Sequence, residues 1–150
     1  MVADIWLNKS HQLVPGAVLY NSPRSFDLWG YSPTFGRLLL RNGHFPDGRH
    51  DGVRVDVLFQ SVRAMKLRQR YEGLQICCAS EEACERIRRE TPQTTYLGGD
   101  RYDHSDRFFV LESGSGFDYV VAGAIGWHED RAPLSWPSYF ADPIPSPAIL

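Results

Sequence analysis

The sequence predicts a mostly β domain (α+β in class) with one short helix, and three observations predict it. Apolar residues recur at every second position in several separate stretches, the spacing of half-buried strands. One stretch alone carries the caps and stripe of a helix. One strand breaks its own alternation and another carries a glycine in the middle of its row, which favours a curled antiparallel sheet or small half-open barrel over a flat one. An antiparallel sandwich is the alternative.

Taken in order, Ala17 to Ser22, Ser25 to Tyr31 and Gly36 to Arg41 read as strands joined by turns at Pro23 and Ser32-Pro33. Asn42 to Gly52 is a polar Gly/Pro-rich loop. Val53, Val55, Val57 and Phe59 then share one strand face, with Arg54, Asp56 and Gln60 on the other. The next strand changes phase. An extra residue near Ala64-Met65, a β-bulge, places Val62, Met65 and Leu67 inward and Arg63, Lys66, Arg68 and Arg70 outward. Leu74 to Cys78 and Thr94 to Leu97 read as strands on either side of the helix. Arg107 to Leu111 forms a hairpin, across Gly114-Ser115-Gly116, with a long strand whose one face reads Phe117, Tyr119, Val121, Ile125 and Trp127. Gly123 lies within that row and marks a bend or a close approach. The total is eight or nine strands.

The helix is expected over Ser80 to Glu90. Ser80 can accept from the first free amides, Glu81 and Glu82 stand at the positive end of the dipole, and Arg86, Arg88 and Arg89 at the negative end. Ala83, Cys84 and Ile87 form its apolar stripe, and Pro92 stops it.

The chain length of 150 residues is that of one domain, 1–150, with residues 131–150 as an extended C-terminal segment. That segment mixes Pro133, Pro137, Pro143, Pro145 and Pro147 with Trp136, Tyr139, Phe140, Ile144, Ile149 and Leu150. It is too apolar for a free tail and too poor in amide donors for a central strand. The expectation is a strap that docks on the domain by its side chains alone.

Sixteen basic and eighteen acidic residues leave a charge of −2, which argues against nucleic acid as a partner. The charge is uneven. Eight basic and three acidic residues lie between Arg37 and Arg70, and seven acidic and two basic ones between Gly98 and Asp130; such stretches can face each other in a folded domain. Three cysteines, Cys77, Cys78 and Cys84, make a poor disulfide framework and point to a reducing compartment, with one of the adjacent pair buried and the other not. The first residues lack a basic start and an apolar run, so no signal peptide is expected. No stretch has the ~20 apolar residues needed to span a bilayer. A cytoplasmic protein without a membrane partner is the expectation.

The search for chemistry yields candidates and no complete motif. Gly114-Ser115-Gly116 begins like a dinucleotide fingerprint, but Tyr119 stands where the third glycine belongs. Asp100, Asp103, His104 and Asp106 lie within seven residues, and Asp47, His50 and Asp51 crowd the earlier loop. Carboxylates beside an imidazole can hold a divalent cation or act as an acid–base pair. His50, His104 and Asp103 are therefore the catalytic candidates, and Asp100, Asp103, His104 and Asp106 the metal candidates. Solvated turns have the same composition, so no cofactor or metal is expected. The outward row Arg63, Lys66, Arg68 and Arg70 can bind an acidic partner or serve as the charged face of an edge strand. In the set Phe26, Trp29, Tyr31 and Phe35, Trp29 and Tyr31 fall opposite Phe26 and Leu28, so they form a second buried layer or an exposed binding patch.

The run DVLFQSVRAMKL…EGLQI, a capped acidic helix, then FFVLESGSGFDYVVAG resembles in texture small β-rich bacterial proteins, some of them immunity-type proteins that neutralise a partner toxin. The resemblance implies no functional residue. Two functions follow as expectations. The first is a non-enzymatic, protein-binding module of the immunity or adaptor kind. The second is a small enzyme or ligand-binding β-barrel with His/Asp-rich loops at the mouth of the sheet. A pocket on which His50, His104 or His128 converge favours the second; a flat apolar patch favours the first.

Overall fold

Alternation makes strands where the sequence places it, and the strands join into one sheet. The structure, a computed structural model, describes residues 7–8 (backbone alone), 14–34, 36–91, 102 and 105–138. The elements are β1 (Leu7–Asn8), β2 (Val18–Ser32), β3 (Arg37–Asn42), β4 (Arg54–Gln60), β5 (Ala64–Lys66), β6 (Arg70–Cys78), α1 (Glu81–Glu90), β7 (Arg107–Glu112), β8 (Asp118–Ala122) and β9 (Ala124–Asp130). All pairings are antiparallel, in the order β1-β9-β4-β3-β2-β6-β7-β8-β5. The single sheet excludes the sandwich.

Side-chain contacts show how far the sheet curls. Through β3, β2 and β6, β4 and β7 are four strand spacings apart, about 19 Å if flat. Yet the Phe59 ring of β4 and the Phe109 ring of β7 are 5.6 Å apart. Phe26, Leu38, Leu40, Val55, Val57, Phe59, Tyr71, Leu74, Ile76, Phe109, Leu111, Val120, Ala122 and Ile125 fill the concave side as one core. The pairing order still ends at β1 and β5, so the sheet is curled and half open, not closed.

The bend has a local cause. β4 and β5 form one bent chain passage, β8 and β9 another, and the two passages pair along both halves. Gln60 lies opposite Ala124 and Ala64 opposite Val121, so three residues on one side face two on the other, a bulge. Ser61 takes a φ of 58° there. A Cβ on Gly123 would lie 3.1 Å from that of Ser61, which is why the position suits glycine. The bulge therefore falls between Gln60 and Ala64, not at Ala64-Met65. Val62 and Leu67 do pack on the main core, while Met65 shares the face of core Val120 but stays 39% exposed. The same bend splits the row read as one face. Tyr119 and Val121, with Phe117 against them, belong to a second cluster on the convex side, whereas Ile125 and Trp127 belong to the concave core.

Two further readings are corrected. Residues Ala17 to Ser22 and Ser25 to Tyr31 are not two strands: β2 is continuous, and Pro23 sits in a register shift between Ser22 and Ser25, where its missing amide costs no ladder bond. A second shift between Leu28 and Gly30 turns Tyr31 to face Leu38, a core residue. Tyr31 thus lies on the opposite face from Trp29. Phe35 and the expected strand Thr94 to Leu97 fall outside the described residues.

Two different covers lie on the convex side. Helix α1 is capped by the Ser80 hydroxyl, which accepts from the Ala83 amide at 3.1 Å, and presses buried Ile87 onto Phe108, Tyr119, Val121 and Tyr102. Ala83 and Cys84 pack beside it. The other cover is the segment 131–138. Arg41 and Arg54 both face it, each gripping the carboxylate directly opposite on the next strand. Arg41 donates from Nε and Nη2 to Asp56 at 2.6 and 2.9 Å, and Arg54 likewise to Asp130 at 2.9 and 2.7 Å. Their remaining N–H groups donate to the carbonyls of Leu134 and Trp136, and of Pro133, Trp136 and Pro137. The strap is held through its backbone carbonyls, not by side chains alone, and Trp136 remains 47% exposed. Residues 139–150 lie outside the described residues.

Arg54 and Asp56, on the face opposite the valine row, are thus buried. All three cysteines are free, Cys77 buried and Cys78 half-buried. Among the described residues no helix is long and apolar enough to cross a membrane.

Candidate functional site

Strand register builds a hollow at one mouth of the curled sheet. Trp127 lies opposite Val57 and Glu129 opposite Val55, and Tyr20 lies opposite Ile76. All three opposite residues belong to the concave core, so Tyr20, Trp127 and Glu129 extend the core's face toward solvent. The register shift at Pro23 carries Ser22 and Arg24 to the same rim. The loop after β3 adds Phe45. Together with Leu19, Asn21 and Pro23 these residues line a cleft of about 400 Å³, within the ~300–1,000 Å³ of small-molecule sites.

The rings stand as walls. Tyr20 and Trp127 are 5.3 Å apart at 49°, and Tyr20 meets Phe26 edge-on at 6.1 Å. The Tyr20 hydroxyl oxygen is buried without a hydrogen-bond partner of standard geometry. Burial pushes this phenol up to about 12; the Ser22 hydroxyl and Arg24 pull against the rise, and the charge of Glu129 adds to it. It is a neutral hydroxyl at any physiological pH.

Arg24 is pinned. Its Nη1 and Nη2 donate to Asp51 at 2.9 and 2.8 Å, and Nη1 also donates to the Gly43 carbonyl at 2.7 Å. Its guanidinium lies 4.6 Å from the centre of the Phe45 ring. The hydrogen bonds from Arg24 hold the Asp51 carboxyl well below the usual carboxylate range. Arg131, at the root of the strap, donates to the Asp51 carbonyl at 2.7 Å, so strap and mouth loop are tied together.

The residues singled out from sequence are placed differently. His50 stacks on His44 at 4.8 Å and does not line the cleft. His128 faces away from it, 3.7 Å from Asp130. Asp47 binds Arg49 and Asp51 binds Arg24, so the carboxylates of that loop are engaged by arginines. Asp100, Asp103 and His104 lie outside the described residues, and Asp106 meets Arg63 at 3.6 Å. Among the described residues no three metal-ligating side chains gather.

The basic row is matched by acids: Arg63 with Asp106, Lys66 with Glu90, Arg68 with Asp118, and Arg70 with Asp27 at 3.8 Å. With Arg54–Asp130, three of these pairs join the basic stretch to the acidic one. Trp29 is 38% exposed beside buried Arg41, whose guanidinium carbon is 5.3 Å from the ring centre; Trp136 approaches the same arginine from the strap.

Tyr20, Phe45 and Trp127 were not singled out together in the sequence, because register alone brings β2, β9 and the loop to one rim. No family model matches the chain, nor does any curated protein or solved structure.

Proposed function

We propose that the protein is a non-enzymatic binding module that takes a small amphipathic molecule into the mouth cleft. One observation carries this reading: three aromatic residues, Tyr20, Phe45 and Trp127, line a hollow of ligand size. Such walls bury an apolar body, and the Ser22, Asn21 and Glu129 side chains at the rim can orient a polar group. Three free thiols fit a reducing compartment such as the cytoplasm. The test is a screen of small amphipathic compounds followed by the indole N–H signal of Trp127. A saturable shift there, with Trp29 undisturbed, is expected. Compounds at a hundredfold excess over Kd would also add about 2.7 kcal/mol of stability. Hits that move Trp29 and leave Trp127 still would overturn the reading.

A second reading, engagement of another protein of the adaptor or immunity kind, is favoured by Trp29 and Trp136. Both are partly exposed and fixed around one rigid, buried arginine, the residue types and rigidity of interface hot spots. Replacing both tryptophans by alanine should abolish any complex while leaving the cleft's binding intact.

A further inference from the structure

Resting on the reading of the mouth cleft as a ligand site, we infer that its ligand is an uncharged aromatic molecule carrying an alcohol or amide group. The charged groups that border the hollow are already matched within the protein. Arg24 lines it and donates through both terminal nitrogens to Asp51, and one of them also donates to the Gly43 carbonyl. An anion would have to displace a two-pronged carboxylate that is already in place. Arg49, on the Phe45 wall, donates from Nε to Asp47 at 2.7 Å. Glu129, the carboxylate of the lining, is itself engaged by the protein. The aromatic walls do not restore a preference for cations. The guanidinium carbons of Arg24 and Arg49 stand 4.6 and 4.7 Å from the centre of the Phe45 ring, so a further positive charge beside that ring would meet two others. A charged ligand of either sign would leave water for a lining whose charges are already answered, and that transfer is costly.

What the lining does offer is apolar area and neutral hydrogen bonding. Leu19, Pro23, Tyr20 and Trp127 supply the walls. Tyr20 and Trp127 stand 5.3 Å apart at 49°, a tilted pair that a planar ring can join by the offset and edge contacts aromatic rings prefer. At the rim the exposed Asn21 carboxamide both donates and accepts. An alcohol or an amide answers both of those functions, whereas an ammonium group only donates and a carboxylate only accepts.

A matched probe series on the full chain tests this: benzyl alcohol, benzylammonium, benzoate and cyclohexylmethanol, each titrated at neutral pH while the Trp127 indole signal is followed. Benzyl alcohol should bind about tenfold more tightly than either ion, and about threefold more tightly than cyclohexylmethanol, which lacks the ring. The Asp51→Asn variant takes the carboxylate from Arg24, so benzoate should gain about tenfold there while benzyl alcohol stays within about twofold. If either ion binds the unsubstituted chain as tightly as benzyl alcohol, the charge inference is overturned and the cleft reading stands. The same holds if Asp51→Asn keeps benzyl alcohol and gains nothing for benzoate; if it loses benzyl alcohol, the ranking in the unsubstituted chain alone decides. Cyclohexylmethanol binding as tightly as benzyl alcohol overturns the aromatic part of the inference. If no probe of any charge moves Trp127, the cleft reading itself is overturned.

Discussion

The two covers on the convex side of the sheet solve one problem by opposite chemistry. Helix α1 satisfies its own backbone internally, so it can offer the sheet nothing but side chains, and Ile87 meets a cluster of aliphatic and aromatic side chains. The strap has no such option. Its carbonyls have no helical partners, and prolines at 133 and 137 cannot join a ladder. What it needs is donors without acceptors, and arginine is the side chain that supplies several in a rigid fork. The sheet beneath differs accordingly: apolar under the helix, Arg41, Arg54 and Asp56 under the strap. The nature of a cover's backbone dictates the polarity of the surface that receives it.

Breaking the polar clamp should have the largest effect. Asp56→Ala leaves Arg41, fully buried, without its countercharge, and removing one partner of a buried pair costs about 3–5 kcal/mol. The melting temperature should fall by roughly 6 °C or more, with amide exchange rising first in residues 132–138 and not in α1. Equal loosening of both covers would show that the clamp is not specific to the strap. Ile87→Ala sharpens the opposite side. It should cost about 2–5 kcal/mol, and here exchange should rise in α1 while the strap keeps its protection.

Acidification is the mildest probe. Burial alone would raise the carboxyl of Asp130, but hydrogen bonds from Arg54 and from the Ala132 amide outweigh that and hold it below the ordinary range. A depressed carboxylate contributes stability that is present above its unfolded value of about 3.9 and lost as pH falls through the folded value. Below about pH 4 the strap should therefore loosen before the helix does. Trp136 fluorescence should change at a higher pH than the helical circular dichroism signal. Coincident transitions would argue against a separately held strap.

Much of this was legible in the chain. The capped helix and the strands at Val53 to Gln60 and Arg107 to Leu111 follow from local pattern, which the sheet reinforces. The second layer stood only as one alternative, at Trp29 and Tyr31, and its plainer signal lay in β3 and β4. Leu39 and Leu58 sit on the same face as Arg41 and Asp56 and are 4% exposed, and a strand apolar on both faces is one covered on both faces. The bends were half legible: the phase change was visible, but its position depends on the pairing of Ser61 with Gly123 across the sheet. The cleft was the least legible. Tyr20, Phe45 and Trp127 meet only because the register of β2 against β6 and the curl of the sheet bring distant segments to one rim, and no local pattern encodes that meeting.

The pairing of β4 with β9 also sets an order of events as the chain is made. Arg54 meets Asp130 across a separation of 76 residues, and the edge of β4 that faces β9 has no partner until the later strand has been synthesised. That edge belongs to RVDVLFQ, a stretch rich in β-branched and aromatic residues and therefore prone to pair with other chains while it waits. Domains dominated by such distant pairings fold slowly. A ribosome that stalls anywhere between Gln60 and Ala124 would leave a nascent chain with an unguarded strand, so this fold depends on synthesis outpacing aggregation until β9 arrives.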